Sequence, residues 1–174
     1  MDIRLVCSDI DGTLLQYGKK ELEGEIFEQI RALHQRGIWF CPASGRQYTS
    51  LRKLFAPVAD CCVFICENGG TIFQEEQCIA KNPMPRALAE EIANDMWTRS
   101  EGRGDVERFV PRWKQANCAV AGPFWIDTTF ANKGIGVQCV CRTLGIDPAQ
   151  VMAFGDNYND ETMLDVVGVP YIMD

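Results

Sequence analysis

Hydrophobic residues fall into five short continuous runs, separated by stretches in which they recur every three or four positions. The runs cover residues 3–7, 38–41, 61–66, 151–154 and 169–173. A continuous apolar run is typical of a strand that is buried on both faces, as the strands of parallel sheets are. The pattern therefore predicts five strands of a parallel sheet.

The stretches between these runs have helical spacing. Apolar residues from Leu22 to Leu33 recur every three or four positions, and Gly37 follows as a C-terminal cap. Further predicted helices cover residues 48–55, 135–144 and 163–167. Strands that alternate with helices predict an α/β fold with a doubly wound, parallel, Rossmann-like sheet.

This alternation breaks down between the third and fourth runs. The elements predicted here are a hairpin at 71–73 and 77–80, a helix bearing Leu88, Ile92 and Met96, and short strands at 107–113 and 119–130. We therefore expect a core made of residues 1–78 and 130–174, with a small α+β cap inserted at 79–129.

Composition and charge narrow the choice of partners. The chain of 174 residues has 17 basic and 24 acidic side chains, a net charge of −7. This balance argues against a nucleic acid or an anionic membrane as partner, because both require clustered basic residues. A small anionic ligand stays possible, since a bound metal ion reverses the local sign of the charge.

The N-terminus and the cysteines indicate a location. The first residues show no signal-peptide pattern, and no apolar run reaches a membrane-spanning length, so a reducing cytoplasm is expected. The nine cysteines include no pair of Cys-x-x-Cys units, and His34 is the one histidine. A structural zinc site is therefore disfavoured.

Polar clusters follow four of the five apolar runs. Strands of an open parallel sheet end at one edge, where ligands bind, so these clusters are expected to converge. Turn formation and helix capping explain any single cluster, but they explain four together poorly. The clusters are Asp9 with Asp11, Ser44-Gly45-Arg46, Glu67-Asn68-Gly69-Gly70, and Asp156-Asn157 with Asn159-Asp160.

The first cluster places two carboxylates one residue apart. Side chains at i and i+2 of a strand point the same way, although a frayed strand end can turn them apart. Asp9 as a nucleophile that attacks phosphorus and Asp11 as the general acid and base fit this pair. Gly12 permits a tight turn after them, and Thr13 can donate a hydrogen bond to a phosphoryl oxygen.

Phosphoryl transfer also requires a cation, donors for the phosphoryl oxygens and a positive charge near the nucleophile. Mg²⁺ prefers hard oxygen ligands, so Asp156 is a candidate ligand, and Asp160 could hold the ion or its waters. Ser44 and the backbone amides near Gly12 and Gly45 could donate to the phosphate. Lys133, at the start of a predicted helix, could supply the charge.

Four motifs together resemble the haloacid dehalogenase-like (HAD) superfamily of phosphatases. They are DIDGT at 9–13, ASGR at 43–46, NKG at 132–134 and GDNYND at 155–160, and ENGG at 67–70 is similar to the Cof-type sugar-phosphatase branch. The resemblance implies that Asp9 is the nucleophile and Asp11 the acid and base, with Ser44 and Lys133 binding phosphate. It also implies Mg²⁺ ligands from Asp9, Asp156 and the Asp11 carbonyl, and it places Arg46 and Asn68 on the substrate side.

The resemblance has two departures. The insert is shorter than the cap usual in this branch, and the chain ends where relatives continue through another helix and strand.

The leading expectation is a Mg²⁺-dependent phosphatase of a small phosphorylated metabolite, such as a sugar phosphate, with an aspartyl-phosphate intermediate. The alternatives are a phosphomutase, a non-catalytic binding module and an incomplete chain. A homo-oligomer that covers the open site is a further expectation.

Overall fold

The computed structural model describes residues 2–16, 18–99, 116–122 and 125–173. The chain forms two compact units, one made of Met1–Lys81 with Asn132–Asp174 and the other of Asn82–Ala131. The strand that begins at Gln77 belongs wholly to the first unit, because it continues to Lys81 and pairs with the strand before it.

Nine strands and five α-helices lie in the described residues. The strands are β1 (Leu5–Ser8), β2 (Trp39–Pro42), β3 (Val63–Cys66), β4 (Thr71–Gln74), β5 (Gln77–Lys81), β6 (Asn117–Gly122), β7 (Trp125–Thr129), β8 (Val151–Gly155) and β9 (Val169–Ile172). The helices are α1 (Gly24–Gln35), α2 (Tyr48–Leu54), α3 (Arg86–Arg99), α4 (Lys133–Leu144) and α5 (Glu161–Leu164). None of them has both the length and the apolar character needed to cross a membrane.

Four parallel strands form the centre of the first unit, in the order β2-β1-β8-β9. The fifth predicted strand, β3, lies beside β2 through parallel bridges from Phe40 to Cys62 and from Ala43 to Ile65. Its other edge pairs antiparallel with β4, which pairs in turn with β5, so the predicted hairpin is present. The predicted α/β fold with a parallel Rossmann-like sheet is confirmed.

Helices cover both faces of this sheet because successive strand residues point to opposite sides. Leu5 and Cys7 of β1 belong to a buried cluster with Val137 of α4. Val6, between them, belongs to a second cluster with Ile30 of α1 and further residues of α2. Each fully buried aliphatic side chain contributes about 1.5–3 kcal/mol. Burial on both faces explains why β1 and β3 appear in the sequence as continuous apolar runs. The edge strand β9 also corresponds to an apolar run, but Tyr171 and Ile172 in it are exposed.

The second unit is described in part. In α3, Ile92 is buried against Leu88 and Met96, as the helical spacing predicts. The predicted single strand at 119–130 is wrong: the chain forms two antiparallel strands, β6 and β7. The Gly-Pro pair at 122–123 interrupts the apolar pattern and explains the division. The predicted strand at 107–113 lies outside the described residues.

Candidate active site

The carboxyl ends of the parallel strands bring the predicted polar residues to one edge of the sheet. The Asp9 backbone N–H donates to the Phe154 carbonyl of β8 at 2.9 Å. The Ser44 backbone N–H donates to the Ile65 carbonyl of β3 at 3.0 Å. Residues far apart in sequence therefore meet here: Asp9 follows β1, Ser44 comes just after β2, Asn68 just after β3, and Asp156 follows β8.

A tight turn after β1 places Gly12 against Asp156. The Ile10 carbonyl accepts hydrogen bonds from the N–H groups of Leu14 at 3.0 Å and Leu15 at 2.7 Å. Gly12 has a φ of +105°, and a Cβ at this position would collide with the Asp156 carboxylate. The chain therefore needs glycine here for two reasons, a backbone conformation that other residues rarely adopt and the close approach of an acidic side chain.

Gly12→Ala should cost about 1–3 kcal/mol of folding stability and also displace Asp156. Gly18→Ala is the matched control, because Gly18 has a φ of +88° and open space around its Cβ position. Thermal unfolding should show a loss in both variants. Only Gly12→Ala should lose the divalent-cation binding that the sequence predicts at Asp156, measured by titration calorimetry. Equal cation affinity in the two variants would contradict a link between the Gly12 turn and a cation at Asp156.

Three carboxylates form a compact cluster at the sheet edge. Asp9, Asp156 and Asp160 each place one oxygen within 4.8 Å of the others. Asp9 is 7% exposed and Asp160 is fully buried, so the mutual repulsion of these groups is poorly screened by water. A set of hard anionic oxygens at this separation fits a cation such as Mg²⁺.

A buried lysine partly compensates the cluster. Lys133 is the first residue of α4 and is 1% exposed. Its Nζ donates to Asp9 Oδ1 and, at 2.5 Å, to Asp160 Oδ1. Asn132 fixes this helix start, because its Oδ1 accepts from the Ile135 N–H at 2.9 Å.

Both carboxylate oxygens of Asp160 accept hydrogen bonds. Its Oδ1 accepts from Lys133, and its Oδ2 accepts from the backbone N–H groups of Asp156 at 3.2 Å and Asn157 at 3.1 Å. Asp160 therefore orients the Asp156 loop as well as the lysine. Sequence reasoning assigned Asp160 to the metal or its waters and missed the pairing with Lys133 and the cap from Asn132.

The Asp9 carboxyl has an altered proton affinity. Burial raises the pKa of Asp9 from 3.8 to about 6, even though the Lys133 ammonium acts in the opposite direction. The carboxylate form is thus destabilised unless more positive charge is added beside it. A divalent cation at the cluster would provide that charge.

Asp11 turns away from the cluster. Its carboxylate is half exposed and accepts from Arg46, with Nε to Oδ2 at 3.0 Å and Nη2 to Oδ1 at 2.5 Å. The two aspartates therefore contact different partners, because the strand ends at Ser8 and the chain turns immediately afterwards. The Asp11 side chain lies outside the carboxylate cluster. The family resemblance implies that its backbone carbonyl, rather than its carboxylate, is the metal ligand.

The remaining predicted residues lie around the same edge. Thr13 Oγ1 donates to Asp156 Oδ1 at 2.8 Å, which connects the turn after β1 to the cluster. Ser44 is buried, and its Oγ accepts from the Arg46 N–H at 3.2 Å. Asn68 has a φ of 51°, and its side-chain amide lies 3.2 Å from the Cβ position of Gly45.

The family model described as haloacid dehalogenase-like hydrolase matches residues 6–101 and 112–174. The chain belongs to the haloacid dehalogenase-like hydrolases. The resemblance found in the motifs, with its Cof-type character, is thereby confirmed.

Curated relatives of this haloacid dehalogenase-like hydrolase carry phosphatase names. A 5-amino-6-(5-phospho-D-ribitylamino)uracil phosphatase of Escherichia coli is 22% identical, over 100% of this chain and 86% of that protein. Phosphoglycolate phosphatase 1 of Saccharolobus solfataricus is 29% identical, over 95% of this chain and 80% of that protein. The predicted enzyme class, phosphoric monoester hydrolase, is confirmed at this level.

Solved structures agree on the fold. A haloacid dehalogenase-like hydrolase from B. subtilis has a TM-score of 0.78 at 16% identity, over 97% of this chain and 88% of that chain. A subclass IIB sugar phosphatase has a TM-score of 0.68 at 18% identity, over 96% of this chain and 86% of that chain. At such identities the likeness concerns the fold alone.

Proposed function

We propose that the protein is a Mg²⁺-dependent phosphatase that hydrolyses a small phosphomonoester through an aspartyl-phosphate intermediate. The observation that carries this proposal is the contact of the buried Lys133 with Asp9, inside a carboxylate cluster completed by Asp156 and Asp160. A buried ammonium beside a carboxylate at a strand end is suited to holding a doubly charged phosphate next to a nucleophile.

Asp9 carries the first bond-forming step. One of its carboxylate oxygens attacks the phosphorus, and the bond from phosphorus to the leaving oxygen breaks. Lys133 offsets the charge of the phosphoryl group as it approaches Asp9. The Ser44 hydroxyl and the backbone amides near Gly12 and Gly45 donate to the remaining phosphoryl oxygens. Thr13 joins them when its single hydroxyl proton turns from Asp156 toward the phosphate.

Asp11 moves the proton. In its protonated form, which requires its side chain to leave Arg46, it gives that proton to the leaving alcohol in the first step. The resulting carboxylate then takes a proton from the water that hydrolyses the aspartyl-phosphate. Its half-exposed carboxylate can reach an incoming substrate, and Arg46 holds it by two hydrogen bonds. Arg46 and Asn68 contact the substrate side of the site.

The cation site would be formed by Asp9, Asp156 and the carbonyl of Asp11, with Asp160 orienting Asp156. The donor set fits Mg²⁺, because it consists of oxygens and leaves positions for water. The ion, when bound, supplies positive charge that draws the phosphate toward Asp9.

The substrate proposed is a small phosphorylated metabolite, a sugar phosphate or a similar ester. Support comes from the relatives, whose names specify a phosphorylated ribitylaminouracil and phosphoglycolate. Residues 82–131 form a separate compact unit, for which we propose the role of a reduced cap.

Metal removal tests the proposal directly. With an aryl phosphate and Mg²⁺, the purified protein should release inorganic phosphate, and a chelator should lower the rate at least about tenfold until Mg²⁺ is restored. Asp156→Asn should raise the Mg²⁺ concentration needed for half-maximal rate. Phosphate release that is unchanged in excess chelator would contradict the proposal, and metal binding without phosphate release would favour a non-catalytic module.

A further inference from the structure

A groove of about 590 Å³ on the first compact unit runs beside the Arg46–Asp11 pair. The residues before and within α1 supply one part of its lining, including Lys20 and Phe27. The face of α2 that carries Ser50 and Lys53 supplies another, and Arg46 lines it as well. The volume is within the range of small-molecule sites, which is about 300–1,000 Å³.

The groove is positively charged on an acidic protein. Lys20, Arg46 and Lys53 line it, and Glu21 is the one acidic residue among its lining residues. Arg46 is already paired with Asp11, so the two lysines supply the remaining positive charge, whereas the whole chain carries −7. A positive lining on a negative protein gives a local potential that attracts anions. The electrostatic character of this surface is therefore opposite to that of the adjacent carboxylate cluster.

Two of these cations have no acidic partner within the described part of the chain. The neighbouring Lys19 pairs with Glu23 at 2.6 Å, and Arg52 pairs with Glu76 at 3.9 Å. Neither Lys20 nor Lys53 forms such an ion pair with any described residue. Their ammonium groups are available to a ligand.

The groove is connected to the reaction through Arg46. The guanidinium of Arg46 contacts Asp11, the residue proposed to protonate the leaving oxygen, and Arg46 also lines the groove. A leaving group held at Asp11 would enter the groove if it extended past Arg46, the residue that the two places share. Leu22, Phe27 and Leu54 offer apolar surface for its carbon atoms, and Ser50 offers a hydroxyl donor.

We propose that this groove binds a second anionic group, a carboxylate or a phosphate, at the far end of the substrate's leaving alcohol. The inference rests on the proposed function, because the same site cleaves the ester, and it narrows the substrate to esters with a charged tail. Lys53 and Lys20 are then specificity-determining residues, and an uncharged tail loses their attraction.

The test compares alkyl phosphates of increasing carbon number that end in a methyl group, a carboxylate or a second phosphate. At the length that reaches the groove, kcat/KM should favour a charged tail by about fivefold, the effect of one partly screened ion pair. Added salt should reduce this preference. Lys53→Met should remove most of it, whereas Arg52→Met should keep it, since Arg52 is adjacent but lines a different cavity.

The outcomes separate this inference from the proposed function. The inference is overturned if esters are hydrolysed with no preference for a charged tail at any length. It is also overturned if Lys53→Met and Arg52→Met show equal preferences. Both results are compatible with the proposed phosphatase activity. If no ester is hydrolysed, calorimetry measures the binding of the corresponding alkylphosphonates instead. The inference is supported if the charged-tail compounds bind more tightly than the methyl-ended ones and if Lys53→Met weakens their binding. Equal binding of the two kinds of compound overturns it. The preferred tail identifies the anionic group.

Discussion

Asp9→Asn should lower the rate of aryl phosphate hydrolysis by about 10⁴-fold or more. The amide is nearly isosteric with the carboxylate, but it cannot form the aspartyl-phosphate, so the first covalent step is lost. Steady-state phosphate release measures the effect. Asp60→Asn is the matched control, because Asp60 is largely exposed and its ion pair with Arg31 is long, at 3.8 Å. Activity in Asp9→Asn near that of the control would refute a nucleophilic role for Asp9.

The same variant should be at least as stable as the natural protein when no metal is present. The pKa of Asp9 is raised by burial to about 6, from 3.8, so the folded state binds this proton more tightly than the unfolded state does. Ionised Asp9 therefore disfavours folding, by an amount that grows as the pH rises from about 4 to about 6. Thermal unfolding at pH 8 should show Asp9→Asn melting no lower than the natural protein, and at pH 4 this advantage should be gone.

Lys133→Met should cost about 3–5 kcal/mol of folding stability and abolish activity. The variant keeps the aliphatic bulk but leaves Asp9 and the fully buried Asp160 without their shared ammonium partner. Uncompensated buried charge is the reason for the large cost. Denaturant unfolding measures it, and Lys81→Met, at an exposed lysine of β5, should change stability by less than about 0.5 kcal/mol.

A double-mutant cycle distinguishes this mechanism from a simple packing defect. If unpaired charge is the cause, Lys133→Met combined with Asp160→Asn should be more stable than Lys133→Met alone, because one buried anion has been neutralised. Additive losses in the double variant would show that the two residues do not act as a pair. Aryl phosphate hydrolysis should stay absent in both, since the charge beside Asp9 is missing.

The strands and helices of the first unit follow from local signals. β1, β3 and β8 correspond to continuous apolar runs, and Gly145 ends α4 with a left-handed φ of 63° as its position predicts. The division of 119–130 into two strands was missed, because a Gly-Pro pair inside an apolar stretch indicates an interruption but not the pairing of what flanks it.

The candidate site was predictable as a set of residue types but not as a set of contacts. Asp9 and Asp11 are one residue apart from each other, yet one contacts Lys133 and the other contacts Arg46. Period-two alternation applies only while a strand continues, and β1 ends at Ser8. The two lysines of the basic groove belong to no motif, since Lys20 and Lys53 lie in separate segments that only packing brings together.

The amino-acid sequence by itself determined the fold class, the family and the identity of the acidic, hydroxyl and ammonium groups at the sheet edge. These follow from apolar periodicity and from short motifs, which are properties of neighbouring residues. Only the tertiary structure decided which oxygen contacts which cation, how deeply Lys133 is buried, and where unpaired positive charge remains. Such features depend on the distance and solvent exposure of groups that are remote along the chain, and electrostatic energy varies steeply with both.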